Sequence, residues 1–153
     1  MKKLSVILLG LFIGLQVSSQ SPVTIEPIRS FTLFKTTSMT ECVFNKKKNV
    51  WGYDSKPTSV KIRIKLRCEE SNTVIDVVDG KLIQSFTLIH DIGSDEGIDT
   101  VNHDQYFMSR FIASDSKGNK YIEMDFYNYQ SGEHALSITY PKKLNYVYFN
   151  RKR

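Results

Sequence analysis

Apolar and basic residues alternate through Val60-Lys61-Ile62-Arg63-Ile64-Lys65-Leu66-Arg67-Cys68. On a strand, Lys61, Arg63, Lys65 and Arg67 would share one face at a spacing of about 6.5–7 Å. Such a ladder fits phosphates, sulfates or uronic acids along a polymer, and so defines a candidate anionic-ligand surface. It is also how a sheet edge is guarded against unwanted pairing, so a solvated, protective face is the default reading. Carboxylates on another strand, with Glu123 and Asp125 the candidates, would neutralise it.

A stripe of the opposite kind is Tyr121, Glu123, Asp125 and Tyr127, again at alternate positions. Two carboxylates flanked by aromatic rings suit contact with a sugar. Alternate residues on a strand place their carboxyls about 6.5–7 Å apart, near the lower end of the range for inverting glycoside hydrolysis. A secreted hydrolase using Glu123 and Asp125 is therefore the enzymatic alternative. Any such pair on a strand meets that spacing, which leaves a non-enzymatic reading ahead. Trp51 joins Tyr121 and Tyr127 as a candidate glycan contact.

Metal and nucleophile chemistry find little footing. Asp91, Asp95 and Asp99 lie in an acidic, Gly-containing stretch with oxygen donors of the kind calcium prefers. The order departs from an EF-hand, because position 3 is Gly93 and no Glu stands at position 12. His90, His103 and His134 form no helical i,i+4 ligand pair, and no Cys-X-X-Cys is present. Neither Gly-X-Ser-X-Gly nor a phosphate-binding Gly-Lys-Ser/Thr occurs. No cofactor is expected. Cys42 and Cys68 would close a 27-residue loop if bonded, worth about 3–4 kcal/mol on the loop-entropy view. An oxidising compartment favours that disulfide, with two buried thiols as the alternative.

The compartment is read from the start of the chain. Met1-Lys2-Lys3 precedes an apolar run from Leu4 to Leu15, the length of a signal-peptide core and too short to span a bilayer. Small residues at Val17-Ser18-Ser19 place cleavage after Ser19. Residues 1–19 are thus expected to be a signal peptide and 20–153 a single domain, exported to the periplasm or beyond, with no membrane span after cleavage. That domain carries 19 basic and 16 acidic residues, net +3. Export and so small a charge argue against nucleic-acid binding. Charge is nonetheless banded: residues 90–139 hold nine acids against three bases, whereas 140–153 hold five bases and no acid.

Short β-branched and aromatic runs separated by turn residues must position these side chains. The runs are Phe31–Thr37, Glu41–Phe44, Val50–Tyr53, Val60–Cys68, Thr73–Val78, Lys81–His90, Gln105–Asp115, Lys120–Tyr129, His134–Tyr140 and Tyr146–Asn150. Asn45-Lys46-Lys47-Lys48-Asn49 reads as a basic hairpin tip. Asp79-Gly80 reads as a type I′ turn, which sets Val77 opposite Leu82 and Ile75 opposite Gln84. Asp91–Asp104 reads as the longest loop. No stretch holds a helical period. The expectation is an all-β fold of about eight mostly antiparallel strands, in a small up-and-down barrel or a β-sandwich.

Several features recur together: Trp51 before the charged alternating strand, a paired strand with the acidic loop Asp91 to Asp99, a Gly turn between Asp115 and Ile122, and the terminal Tyr146-Val147-Tyr148. Their order resembles small signal-peptide-bearing bacterial β proteins of uncharacterised function. The resemblance implies a compact, lipocalin-like or related fold and brings no activity with it. The sequence thus describes an exported, non-enzymatic binding or interaction module of the cell envelope. Its ligand classes are a glycan, an anionic polymer, or an apolar small molecule held in a barrel interior.

Overall fold

The structure is a computed structural model, and it describes residues 29–53, 56–99, 102–141 and 144–150. The expected signal peptide and the basic tail Arg151-Lys152-Arg153 lie outside these. Eleven strands occur among the described residues: β1 Arg29–Lys35, β2 Ser38–Asn45, β3 Val50–Tyr53, β4 Thr58–Ser59, β5 Arg63–Cys68, β6 Thr73–Asp79, β7 Leu82–Ile98, β8 Gln105–Asp115, β9 Ile122–Tyr129, β10 His134–Tyr140 and β11 Leu144–Phe149. They form one antiparallel sheet, in the order β1-β5-β6-β7-β8-β9-β10-β11-β2-β3, with β4 beside β2. The described residues are all-β, as the alternating runs lead one to expect.

The expected eight-strand barrel is corrected in two respects. Ten strands lie on the path, and its ends, β1 and β3, are not paired to each other. The cause is local. The first β run bends at Thr36-Thr37, so β1 pairs with β5 while β2 pairs with β11. The bend satisfies its own backbone: Thr36 N–H donates to Ile62 O at 2.8 Å and Thr37 N–H to Phe149 O at 2.9 Å. It therefore sits between both ends of the β5-to-β11 meander.

The sheet is strongly rolled. Gln84 on β7 donates to the Tyr140 hydroxyl on β10 at 2.5 Å, three ladders away. In a flat sheet those strands would be about 14 Å apart. Phe34 of β1 stacks on His134 of β10, with ring centres 5.6 Å apart. Rolling brings one face of every long strand to a common core. Alternation decides membership: Ile62, Ile64 and Leu66 from the β5 run, Ile75 and Val77, Phe86 and Leu88, Phe111 and Ala113, Ile122 and Met124, and Leu136 and Ile138 point inward.

The hairpin after β6 turns at Gly80-Lys81, not at Asp79-Gly80. Asp79 faces Leu82, Val77 faces Gln84 and Ile75 faces Phe86. Gly80 takes φ +57, the left-handed conformation in which a Cβ is strained. The pairing shifts by two residues, so facing parity is kept, but Leu82 at the tip is exposed and does not join the core. Asp91–Ile98 is also corrected, from loop to strand. β7 continues past bulges at Leu88/His90 and Asp91/Gly93 and pairs with β8 as far as Ile98–Gln105. This arm is mostly solvent-exposed on β7, so no apolar alternation was needed to build it.

Candidate functional site

Beneath β1, β6, β7, β8, β9 and β10 the inward side chains leave a cavity of about 100 Å³. Ile75, Leu88 and Phe111 form its buried floor, and half-buried Leu33, Phe34 and Phe126 form apolar walls. For scale, an apolar cavity of about 150 Å³ lined by Leu, Ile and Phe stays dry and admits benzene. The polar margin of the lining comes from Ser109, Asn128 and His134, with Tyr127. His134 Nδ1 lies 2.9 Å from Asn128 Oδ1. A carbonyl oxygen can only accept, so the ring hydrogen is on Nδ1 and Nε2 is left as an acceptor. Burial pushes the His134 pKa below the ordinary imidazole value, which keeps the ring neutral. Asn128 also lines an open cleft bounded by Glu96, Gly97, Tyr106 and Phe107 at the base of the β7–β8 arm. Asn128 therefore lies between the cavity and the open cleft.

The basic ladder is partly consumed. Arg67 Nε donates to Asp76 Oδ2 at 3.0 Å and Nη2 to Oδ1 at 3.4 Å. Ser85 Oγ donates to the same Oδ1 at 2.6 Å, and Arg67 Nη1 also bonds Glu69. The neutralising acids are thus Asp76 and Glu69, not Glu123 and Asp125. β6 is the hydrogen-bonded neighbour of β5, which places Asp76 opposite Lys65, whereas Glu123 and Asp125 sit on β9. Burial works against the Asp76 carboxylate, but its bonds to Arg67 and Ser85 prevail and hold its pKa below the usual range. Lys61 and Arg63 are exposed, Lys65 is half-buried, and none of them forms an ion pair among the described residues.

The β9 stripe is divided. Asp125 receives Arg110 Nε at 3.2 Å from the facing position on β8. Here burial outweighs the ion pair and the Asp125 pKa is raised, while Asp125 pushes the Arg110 guanidinium further up. Glu123 is exposed and Tyr121 precedes the strand at φ +59, so Tyr121 leaves the stripe. Tyr127 stacks on Tyr129 and meets Tyr106 edge-on. Trp51 faces Phe44 in the β2–β3 ladder, and its side chain lies outside the described residues.

Asp91, Asp95 and Asp99 are spread along β7 and its end, four residues apart. At strand rise that separates neighbours by about 13 Å, too far to share one ion. Cys42 and Cys68 are free thiols, which corrects the expected disulfide. Cys42 pairs with Asn145 and Tyr53, whereas Cys68 pairs with Arg29 and Thr73, thirteen positions back along the β1–β2 run. Burial raises the Cys42 thiol pKa.

His134, Asn128 and Phe34 are the site residues that motif reasoning missed. Alternation carried the only signal, since His134 shares the inward parity of Leu136, Ile138 and Tyr140. No protein-family model matches this chain, and no curated protein or solved structure was found to be similar to it.

Proposed function

We infer that this is an exported, non-enzymatic binding protein that takes a small apolar molecule, or the apolar end of a longer one, into the rolled sheet. The observation that carries this is the 100 Å³ cavity walled by Leu33, Phe34, Leu88, Phe111 and Phe126 with a single polar margin. The bend at Thr36-Thr37 supports this reading, because its bonds to Ile62 O and Phe149 O hold the two ends of the β5-to-β11 meander together around the cavity. Export rests on the Met1–Ser19 leader, and likeness to small envelope β proteins on the order of strands. The test is titration with small aromatic and aliphatic probes at low and high salt. Uptake that ignores salt and vanishes in Ser109→Leu, which fills the cavity, is the expected result. Salt-sensitive binding of a polyanion, lost on changing Lys61, Arg63 and Lys65, would move the site to the outer face.

The hydrolase alternative has one supporting feature, the raised pKa of Asp125 beside exposed Glu123. Arg110 already occupies Asp125, which favours a structural role. Glycan hydrolysis abolished by either amide variant would support the enzyme.

A further inference from the structure

Antiparallel pairing sorts the charge bands of the sequence to the two ends of the sheet. The turns after β2, β6 and β8 all open at one end, as their registers require. They carry Lys46-Lys47-Lys48, Lys81, and Lys117 with Lys120, all exposed. The turns after β5, β7 and β9 open at the other end and carry Glu69-Glu70, Asp99 and Asp104, and Glu133. Three large apolar side chains stand exposed among the lysines: Leu82 at 75%, Ile83 at 63% and Tyr121 at 75%. Asp79 and Glu123 also lie toward this end. Asp115 does too, but its carboxylate is turned inward, accepting from Lys117 N, Asn119 N and Asn119 Nδ2.

The geometry points to this end as a docking surface for an anionic lipid bilayer, with Leu82, Ile83 and Tyr121 entering the interface and the lysines meeting headgroups. Exposed apolar residues set among lysines at several turn tips suit a planar, negative and partly apolar partner. Tyrosine is amphipathic and lysine stems lie along apolar surface, so both are at ease at headgroup depth. The surface is separate from the interior cavity and extends the function beyond ligand uptake.

The test is co-flotation of residues 20–153, which hold every described strand, with vesicles of phosphatidylcholine containing or lacking phosphatidylglycerol. Binding only to the anionic vesicles, lost at high salt, is expected. Each lysine near the surface contributes about fivefold, so the combined K81Q, K117Q and K120Q variant should bind about a hundredfold more weakly. Leu82→Ser with Ile83→Ser should weaken binding at constant charge. These residues lie at exposed tips, and unchanged circular dichroism would show that the variants fold. The proposal is overturned by absence of co-flotation or by equal binding to neutral vesicles. It is also overturned if binding persists in the lysine variant but is lost when Arg151-Lys152-Arg153 is replaced. Self-association of the free chain abolished by the lysine variant, without vesicle binding, would assign the surface to a second copy instead.

Discussion

The inner and outer faces of β5 to β9 hold their contents differently. Inside, packing dominates: Phe86 and Met124 are fully buried, and the cavity beside Ile75, Leu88 and Phe111 is mostly apolar. Outside, polar groups are matched in pairs across neighbouring strands, Arg67 with Asp76 and Arg110 with Asp125. A void lined by apolar atoms has contacts still to be made, whereas a matched ion pair has already used its own. The inner face is therefore the better candidate for a ligand, although the outer face displays the more conspicuous sequence pattern.

The largest expected effect sharpens the inner half of the comparison. Phe86→Ala, fully buried and not itself part of the cavity lining, should cost about 3–5 kcal/mol in a denaturant titration. Ser109→Leu at the cavity should cost far less or stabilise, because the added methyl groups meet empty space. Equal losses would mean that the cavity is no looser than the rest of the core.

Next come the two outer pairs, which differ from each other. Asp76 accepts three hydrogen bonds and Asp125 one from Arg110. Asp76→Asn should destabilise by about 1–3 kcal/mol at neutral pH. The folded-state pKa of Asp76 is depressed, so its contribution is full above the unfolded value and is lost as pH falls through the folded one. Asp125 has the opposite sign. Its raised pKa favours the folded state below the unfolded value, and that benefit disappears as pH rises through the folded value. Asp125→Asn should therefore shift neutral-pH stability by less than about 1 kcal/mol and steepen the acid limb, whereas Asp76→Asn flattens it. Parallel pH profiles for the two variants would break the contrast.

The smallest effect is at the hairpin after β6. Gly80→Ala places a side chain at positive φ and should cost about 1 kcal/mol, read as a shift in the unfolding midpoint.

Alternation made most of the sheet readable. Gln105–Asp115 and His134–Tyr140 are strands at the expected bounds, because one face of each had to be apolar. The β7 arm was hidden for the converse reason: with solvent around much of it, Asp91–Ile98 had no pattern to keep. The partner of Arg67 was hidden as well. Asp76 sits within Thr73–Val78, and only the register of β5 on β6 turns that acid into a counter-ion. The cavity leaves no trace in composition, since a void depends on how inward side chains from six strands meet after the sheet rolls. His134 could be placed inward by parity, but Asn128 and Phe34 as its neighbours could not.

The most direct measurement is an amide chemical-shift titration with a small apolar probe such as benzene or indole, at low and high salt. Shifts centred on Leu88, Ser109, Phe126 and His134, unchanged by salt and absent in Ser109→Leu, are expected of a ligand held in the cavity. Shifts confined to Lys61, Arg63 and Lys65, or none up to the solubility of the probe, would contradict it.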